Sequence, residues 1–377
     1  MSERIRNEYL PVSVTHPGVT LAESLEERGM SQTQLAERTG RPRKTINEII
    51  KGQAGITPET AIQLERVLGI PASFWNNRQR SHDESVARRH ALEGLKRHLD
   101  WLGHFPVTQM SKLGWVEKRT SDVEQLDALL AFFGVASPDE WERVYGNRGA
   151  AAAYRKSASF ATDSHALSAW LRKGEQDASS VPCAPYDRDR FLQALRRIRE
   201  LVRETPRGLE SSIRDTCAAA GVAVVFVPLI KGVHAWGATR WLTPTKAMIE
   251  LSLRGRLEDI FWFTFFHECA HVLNGGKRDI FVDGKESASS SADEKNADAF
   301  SSDFLIPDAV WKKFLSRHAA FGRETVVSFA RDVGVSPAIV IGRLQHEKLI
   351  AQSSALNSLR RRIETFFAET TRETGAN

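Results

Sequence analysis

FHECAHVLNGG, Phe266–Gly276, carries two histidines four residues apart with a glutamate directly after the first. A helical residue advances by about 100° per position, so His267 and His271 leave one helix face a single turn apart and can hold one metal ion. Glu268 stands beside that face, placed to accept a proton from a water that the ion activates. The flanking LEDIFWFTFFHECAHVL, Leu257–Leu273, is apolar nearly throughout and predicts a buried helix. A buried helix can also hold two satisfied core histidines, so the spacing alone does not separate the readings.

The separation comes downstream. Catalytic zinc usually takes three protein ligands and keeps one position open. EKNADAFSSDFLIP, Glu294–Pro307, reads as a helix with Ala297, Phe300, Phe304 and Leu305 inward. Glu294 stands at its start and can complete the coordination. Asp298, four residues on and on the same face, can hold a ring N–H of one ligating histidine. Asn296 reads as solvent-facing, Cys269 as a small core residue, and Phe261, Trp262, Phe263, Phe265 and Phe266 as core rather than a stacking platform.

The whole chain has 377 residues, 41% hydrophobic and 26% charged, enough for two or three domains with real cores. The apolar patterns and their punctuation along the chain predict a mainly α fold with a smaller α+β part, in four regions at 1–80, 81–205, 206–315 and 316–377. VAVVFVPL (Val222–Leu229) and AMIELSL (Ala247–Leu253) predict strands in the third. The second reads as helical, broken at Gly146–Tyr154 and by a loop at Gly174–Asp189. GKESASSSADEK, Gly284–Lys295, reads as a polar loop. No apolar run approaches the roughly 18 residues of a membrane span, and MSERIRNEYLPVS is no secretory signal. Three scattered cysteines, Cys183, Cys217 and Cys269, argue against a disulfide framework, and together these features predict a cytoplasmic protein without a membrane partner. A net charge of +5 permits nucleic-acid binding without showing it.

Charge gains meaning only near the N-terminus. Ser31 can cap a helix to Thr39 that buries Leu35 and Ala36, Gly40 makes the turn, and Pro42 suits the start of the next helix. That helix buries Ile46, Ile49 and Ile50 and exposes Arg43, Lys44, Thr45, Asn47 and Glu48 before Gly52 stops it. Thr57 and Pro58 start another, with stripe Ala61, Leu64, Leu68 and Ile70. Two short helices joined at a glycine, the second basic outward (Arg41, Arg43, Lys44 and Lys51 against Glu48), predict a helix-turn-helix. A helical bundle used only for dimerisation is the alternative.

The stretch SQTQLAERTGRPRKTINEIIKG resembles the phage-repressor (Xre) type of helix-turn-helix, and the flanking sequence from Thr15 to Gln79 resembles HigA-family addiction-module antitoxins. The resemblance implies operator DNA as partner, with Gln32 on phosphate and Arg43, Lys44 and Asn47 reading or approaching bases; Arg41 and Thr45 are further DNA-binding candidates. It also implies a small ribonuclease-type toxin partner, and repressors of this geometry usually act as homodimers. SLRGRLEDIFWFTFFHECAHVLNGG followed by EKNADAFSSDFLIP resembles the ImmA/IrrE metallopeptidases, a gluzincin-like group, and continues in outline through FARDVGVSPAIVIGRLQHEKLI. By that resemblance Zn²⁺ is held by His267, His271 and Glu294, Glu268 is the catalytic base, and the substrate is a protein or peptide. Relatives often carry a further histidine where this chain has Gly275.

The group that stabilises the oxyanion is not legible; His234, Arg240 and Arg254 are the candidates. Arg196, Arg197, Arg199 and Arg203 read as a solvated helix face, the C-terminal helix-turn-helix outline as a packing element, and Arg360–Arg362 as a basic cluster of no evident role. Three functions fit: a repressor and antitoxin carrying a zinc peptidase, a repressor whose zinc fold only senses or binds, and a stand-alone peptidase with a dimerising N-terminus.

Overall fold

Ser31 caps as its sequence demands. Its hydroxyl accepts from Gln34 N at 3.2 Å while Gln34 Oε1 accepts from Ser31 N at 2.9 Å, a reciprocal capping box. This computed structural model describes residues 14–146, 163–275, 280–284, 292–318 and 320–363. The chain divides into two compact units, Met1–Arg97 and His98–Asn377.

The described residues of the first unit form five α-helices: α1 (Pro17–Glu27), α2 (Gln32–Thr39), α3 (Arg43–Ile50), α4 (Pro58–Leu68) and α5 (Ala72–Leu95). Gly40 ends α2 in the left-handed region at φ 69°, which lets the chain turn straight into α3. Leu21, Leu35, Ile46, Ile49, Leu64 and Trp75 close the core, and Ile50 is half-buried at its rim. Pro42 stands just before α3 as its N-cap residue.

In the second unit, short helical turns at Leu99–Leu102, Val107–Lys112 and Pro138–Trp141 accompany α6 (Asp122–Phe133). Then come α7 (Ser164–Ser180), α8 (Arg188–Glu200) and α9 (Leu209–Ala218), followed by strands β1 (Val222–Phe226), β2 (Ala235–Thr243) and β3 (Lys246–Leu251). Next are α10 (Glu258–Asn274), β4 (Ile280–Gly284), α11 (Ala292–Leu305), α12 (Asp308–Arg317), α13 (Arg323–Val333) and α14 (Pro337–His346). The strands form one sheet in the order β1-β3-β2-β4, with β1 and β3 parallel and β2 antiparallel to both neighbours. The mainly helical fold with a small sheet is thus present. Both expected strands form, though β1 stops at Phe226 and β3 at Leu251; β2 and β4 were not foreseen.

Side chains alternate across the sheet, so each face meets a different helical layer. Val222, Val224, Ile249 and Leu251 pack with α8, α9, α10 and the C-terminal helices, while Ala223, Val225, Ala238 and Met248 pack with α6 and α7. The C-terminal pair α13 and α14 sends Val326, Phe329, Ile339, Val340 and Leu344 into the first of these cores, the packing role expected of it. No single helix among the described residues is long and apolar enough to cross a membrane.

Two expectations change, and two others fall mostly outside the described residues. The loop expected from Gly174 is helical to Ser180, because Gly174 lets α7 approach the buried Glu250 of β3; a Cβ there would collide with the Glu250 carboxylate. The expected break at Gly146–Tyr154 lies almost wholly outside the described residues, as does most of the polar stretch at 284–295. Arg199 is not a solvated residue, although Arg196, Arg197 and Arg203 are exposed. Its guanidinium donates to Phe304 O (3.1 Å), Leu305 O (2.6 Å), Val333 O (3.2 Å) and Gly334 O (2.7 Å). These are carbonyls that the ends of α11 and α13 leave without helical partners.

Arg199→Ala strands those carbonyls and should lower unfolding stability by about 3 kcal/mol, with Arg199→Lys recovering less than half because an ammonium lacks the planar fork. Urea unfolding reads this, and a loss under about 1 kcal/mol would remove the clasp from the account. Glu250 generates a pH-dependent expectation. Burial, and after it the charge of Asp177, holds its carboxyl well above the usual carboxylate range, against the pull of Arg240. As pH rises past the unfolded value of about 4.3, unfolding releases a proton and this residue's contribution to stability falls. Glu250→Gln should therefore raise Tm at about pH 8 and leave it nearly unchanged at about pH 4.5; equal shifts at both would contradict it.

Candidate metal centre

The helix of the histidine pair is buried because its environment is apolar on nearly every side. Phe261, Trp262, Phe265, Phe266 and Cys269 face the core, and His267, Glu268 and His271 are 2%, 0% and 3% exposed. Glu258 and Asp259 in its first turn favour the positive end of the helix, and both are clamped from the far C-terminal segment. Arg361 donates to both Glu258 carboxylate oxygens at 3.0 and 2.8 Å, and Arg360 to both Asp259 oxygens at 3.0 and 2.5 Å. The basic cluster without evident role in the sequence therefore anchors α10.

Along α11, Ala297, Ser301 and Leu305 are buried, Phe300 and Phe304 pack against the core, and Asn296 faces solvent as expected. This seats Glu294 against the histidines. One ligand atom from each of His267, His271 and Glu294 lies within 4.8 Å of the others. The two Nε2 atoms are 3.0 Å apart, and the Glu294 oxygens stand 3.2 Å from His267 Nε2 and 3.5 Å from His271 Nε2. Lone pairs crowded like this repel unless a positive charge sits among them, so the donor set fits a cation of zinc's type. His267 Nδ1 lies 2.9 Å from Asp298 Oδ1. With that nitrogen donating to the carboxylate, Nε2 carries its lone pair toward the cluster. Burial, and then His267, lowers the His271 pKa to about 4, against the opposing pull of Glu294 and Asp298, so the ring is neutral at pH 7.

Two residues that the sequence did not single out hold Glu268. Thr239 Oγ1 on β2 donates to Glu268 Oε2 at 2.6 Å, and a Cβ on Gly237 would lie 2.6 Å from Glu268 Oε1. Small residues at alternate positions of GATRWLT mark a strand face that a helix approaches closely, the signal that could have found them. Of the three oxyanion candidates, Arg240 points to the opposite sheet face and pairs with Glu175. Arg254 donates to His234 O and lies 5.0 Å from the Trp236 ring centroid, and His234 is exposed. None of these contacts reaches the cluster of His267, His271 and Glu294.

On the first unit, Arg43 and Lys44 are exposed at the start of α3, and Thr45, Asn47 and Gln32 are half-buried. Arg41 donates through Nε to Gln63 Oε1 at 2.6 Å, so part of its guanidinium is already committed within the fold.

The helix-turn-helix family pattern matches residues 21–75, and the IrrE N-terminal-like domain matches residues 258–345. Virulence-associated protein A of Dichelobacter nodosus is 34% identical over 83 residues, 22% of this chain and 81% of that protein. An uncharacterised HTH-type transcriptional regulator, YddM, of Escherichia coli (strain K12) is 34% identical over 73 residues, 19% of this chain and 78% of its own length. A solved structure of Pseudomonas aeruginosa antitoxin HigA with the higBA promoter is 30% identical, covering 22% of this chain and 92% of that one at a TM-score of 0.21. Through its first unit this chain belongs to the helix-turn-helix family of regulators, and its second unit carries an IrrE N-terminal-like domain.

Proposed function

We propose that this protein is a DNA-binding repressor whose second unit is a zinc-dependent peptidase, and that it serves as the antitoxin of a toxin–antitoxin pair. The observation that carries the peptidase half is the convergence of His267, His271 and Glu294 from two helices, with Asp298 orienting one ring. When bound, zinc supplies Lewis acidity that polarises a carbonyl and acidifies water. Glu268, held by Thr239, takes the proton of the attacking water. The cognate substrate is a protein or peptide. The four-region division, with boundaries after residues 80, 205 and 315, and a cytoplasmic location complete the proposal.

The regulatory half rests on the capped helix pair with Arg43 and Lys44 exposed at the leading end of α3. A helix placed so can enter the major groove with Arg43, Lys44, Thr45 and Asn47 near base edges, while Gln32 and Arg41 hold phosphate. Likeness to helix-turn-helix transcriptional regulators supports operator DNA as the partner; a homodimer spanning two half-sites and a small ribonuclease-type toxin as the protein bound belong to the same proposal. One observation favours a second reading, a zinc-stabilised sensor without turnover: Glu268 is wholly buried and already bonded to Thr239.

Purified chain dialysed against zinc should retain one ion per molecule, and Glu294→Ala should weaken that binding at least about 100-fold by isotope-dilution titration. Glu268→Gln should keep the ion and abolish peptide cleavage; a regulator that senses only by binding would retain its repression in that variant. An undiminished zinc affinity in Glu294→Ala would remove the third ligand. On DNA, replacing Lys44 by alanine should lower the slope of log affinity against log salt by about 1, and Arg43→Ala should cost about 1–3 kcal/mol on the operator. Equal affinity for operator and random duplex would refute the repressor reading.

A further inference from the structure

The second unit contains a cavity of about 320 Å³ that opens from the metal cluster. His267, Glu294 and Asp298 form one end of it, and its walls come from α10, α11 and α14. We propose that this cavity receives a large, uncharged apolar side chain of the peptide substrate, next to the bond that is cut. The proposal rests on the peptidase reading and adds the substrate's side-chain class.

The wall supplies dispersion surface and little unspent charge. Ile260, Phe263, Leu305, Ile306, Ile339 and Trp236 line it. The Phe263 ring lies 6.2 Å from the His267 ring and 6.2 Å from the His346 ring, so the apolar surface begins at the metal ligands and runs to the far rim. The charged groups on the wall away from the cluster are matched within the fold. Asp259 is paired with both arms of the Arg360 fork. Arg343 donates to Glu347 (2.9 Å), Asp308 (3.3 Å) and Ile306 O (2.7 Å), and stacks on Trp311 at 4.6 Å. An acidic or basic side chain entering here would exchange its hydration for at most the His346 imidazole at the rim, whereas an apolar one gains dispersion contact along the whole wall. Size agrees: a cavity of about 150 Å³ already admits benzene, so about twice that space takes a leucine or an aromatic ring with room for adjoining backbone.

The C-terminal helix makes the cavity selective. Gly342 lets α14 close on α10, since a Cβ there would lie 2.5 Å from Asp259 Oδ2. Ile339, one turn earlier, then sets the width between the helices.

The test uses the zinc-loaded full chain and calorimetry with four hydroxamates: acetohydroxamate, which has no side chain to place, and the N-acetyl derivatives of leucine, tryptophan and glutamate hydroxamate. The leucine probe should bind at least about tenfold tighter than acetohydroxamate, and the glutamate probe no tighter. Ser302→Trp fills the cavity from α11 and should erase the leucine advantage while zinc content and the acetohydroxamate affinity stay unchanged. Ile339→Ala, which widens the cavity, should move the preference toward the tryptophan analogue and serves if the filled variant does not fold. Equal affinity of the leucine and glutamate probes, or a leucine advantage surviving in Ser302→Trp with no shift in Ile339→Ala, would overturn the cavity proposal alone. Failure of acetohydroxamate to bind the zinc-loaded chain would instead overturn the peptidase reading, and this proposal with it.

Discussion

The function proposed for the second unit depends on α10 and α11 lying close enough for the Glu294 carboxylate to meet two imidazoles of the other helix. Burying three polar side chains together is costly unless their lone pairs find partners. The surrounding packing supplies the proximity: Phe266 and Phe304 meet at a tilt with 5.0 Å between ring centroids, and Ser301 donates to Phe263 O at 2.8 Å. A cation among the three would convert that crowding into a tie between the helices, so the proposed zinc would be a structural fastener as well as a chemical one.

Distant arginines hold the two helices in that relation. Arg199 gathers the carbonyl ends of α11 and α13, and Arg360 and Arg361 grip the acidic first turn of α10. Guanidinium suits both tasks, since one planar fork can satisfy several acceptors at fixed angles. The C-terminal segment thus contributes to the centre without touching it, through Arg360 and Arg361 at one end of α10 and through α14 along the cavity.

The sequence made the clustering of His267, His271 and Glu294 legible because a four-residue spacing puts two histidines on one helix face, and because Glu294 and Asp298 share the same period on an amphipathic segment downstream. The cap at Ser31 and the turn at Gly40 were legible for a similar local reason. Arg199 and Arg360 were not: their partners lie 105 and 101 residues away, and no local pattern distinguishes a clasp from a solvated charge. Strand β2 escaped notice because Trp236, Arg240 and Trp241 interrupt its alternation, and with it went the Gly237 and Thr239 support of Glu268. Gly174 misled in the opposite direction, since a residue that usually breaks helices here permits one to pack against Glu250.

X-ray absorption at the zinc edge of the loaded full chain tests the central arrangement most directly. The account predicts a shell of nitrogen and oxygen near about 2.0–2.1 Å, with the outer scattering of two imidazoles and no sulfur, since Cys269 faces the core. A sulfur shell near about 2.3 Å, or a spectrum with one imidazole or none, would contradict it.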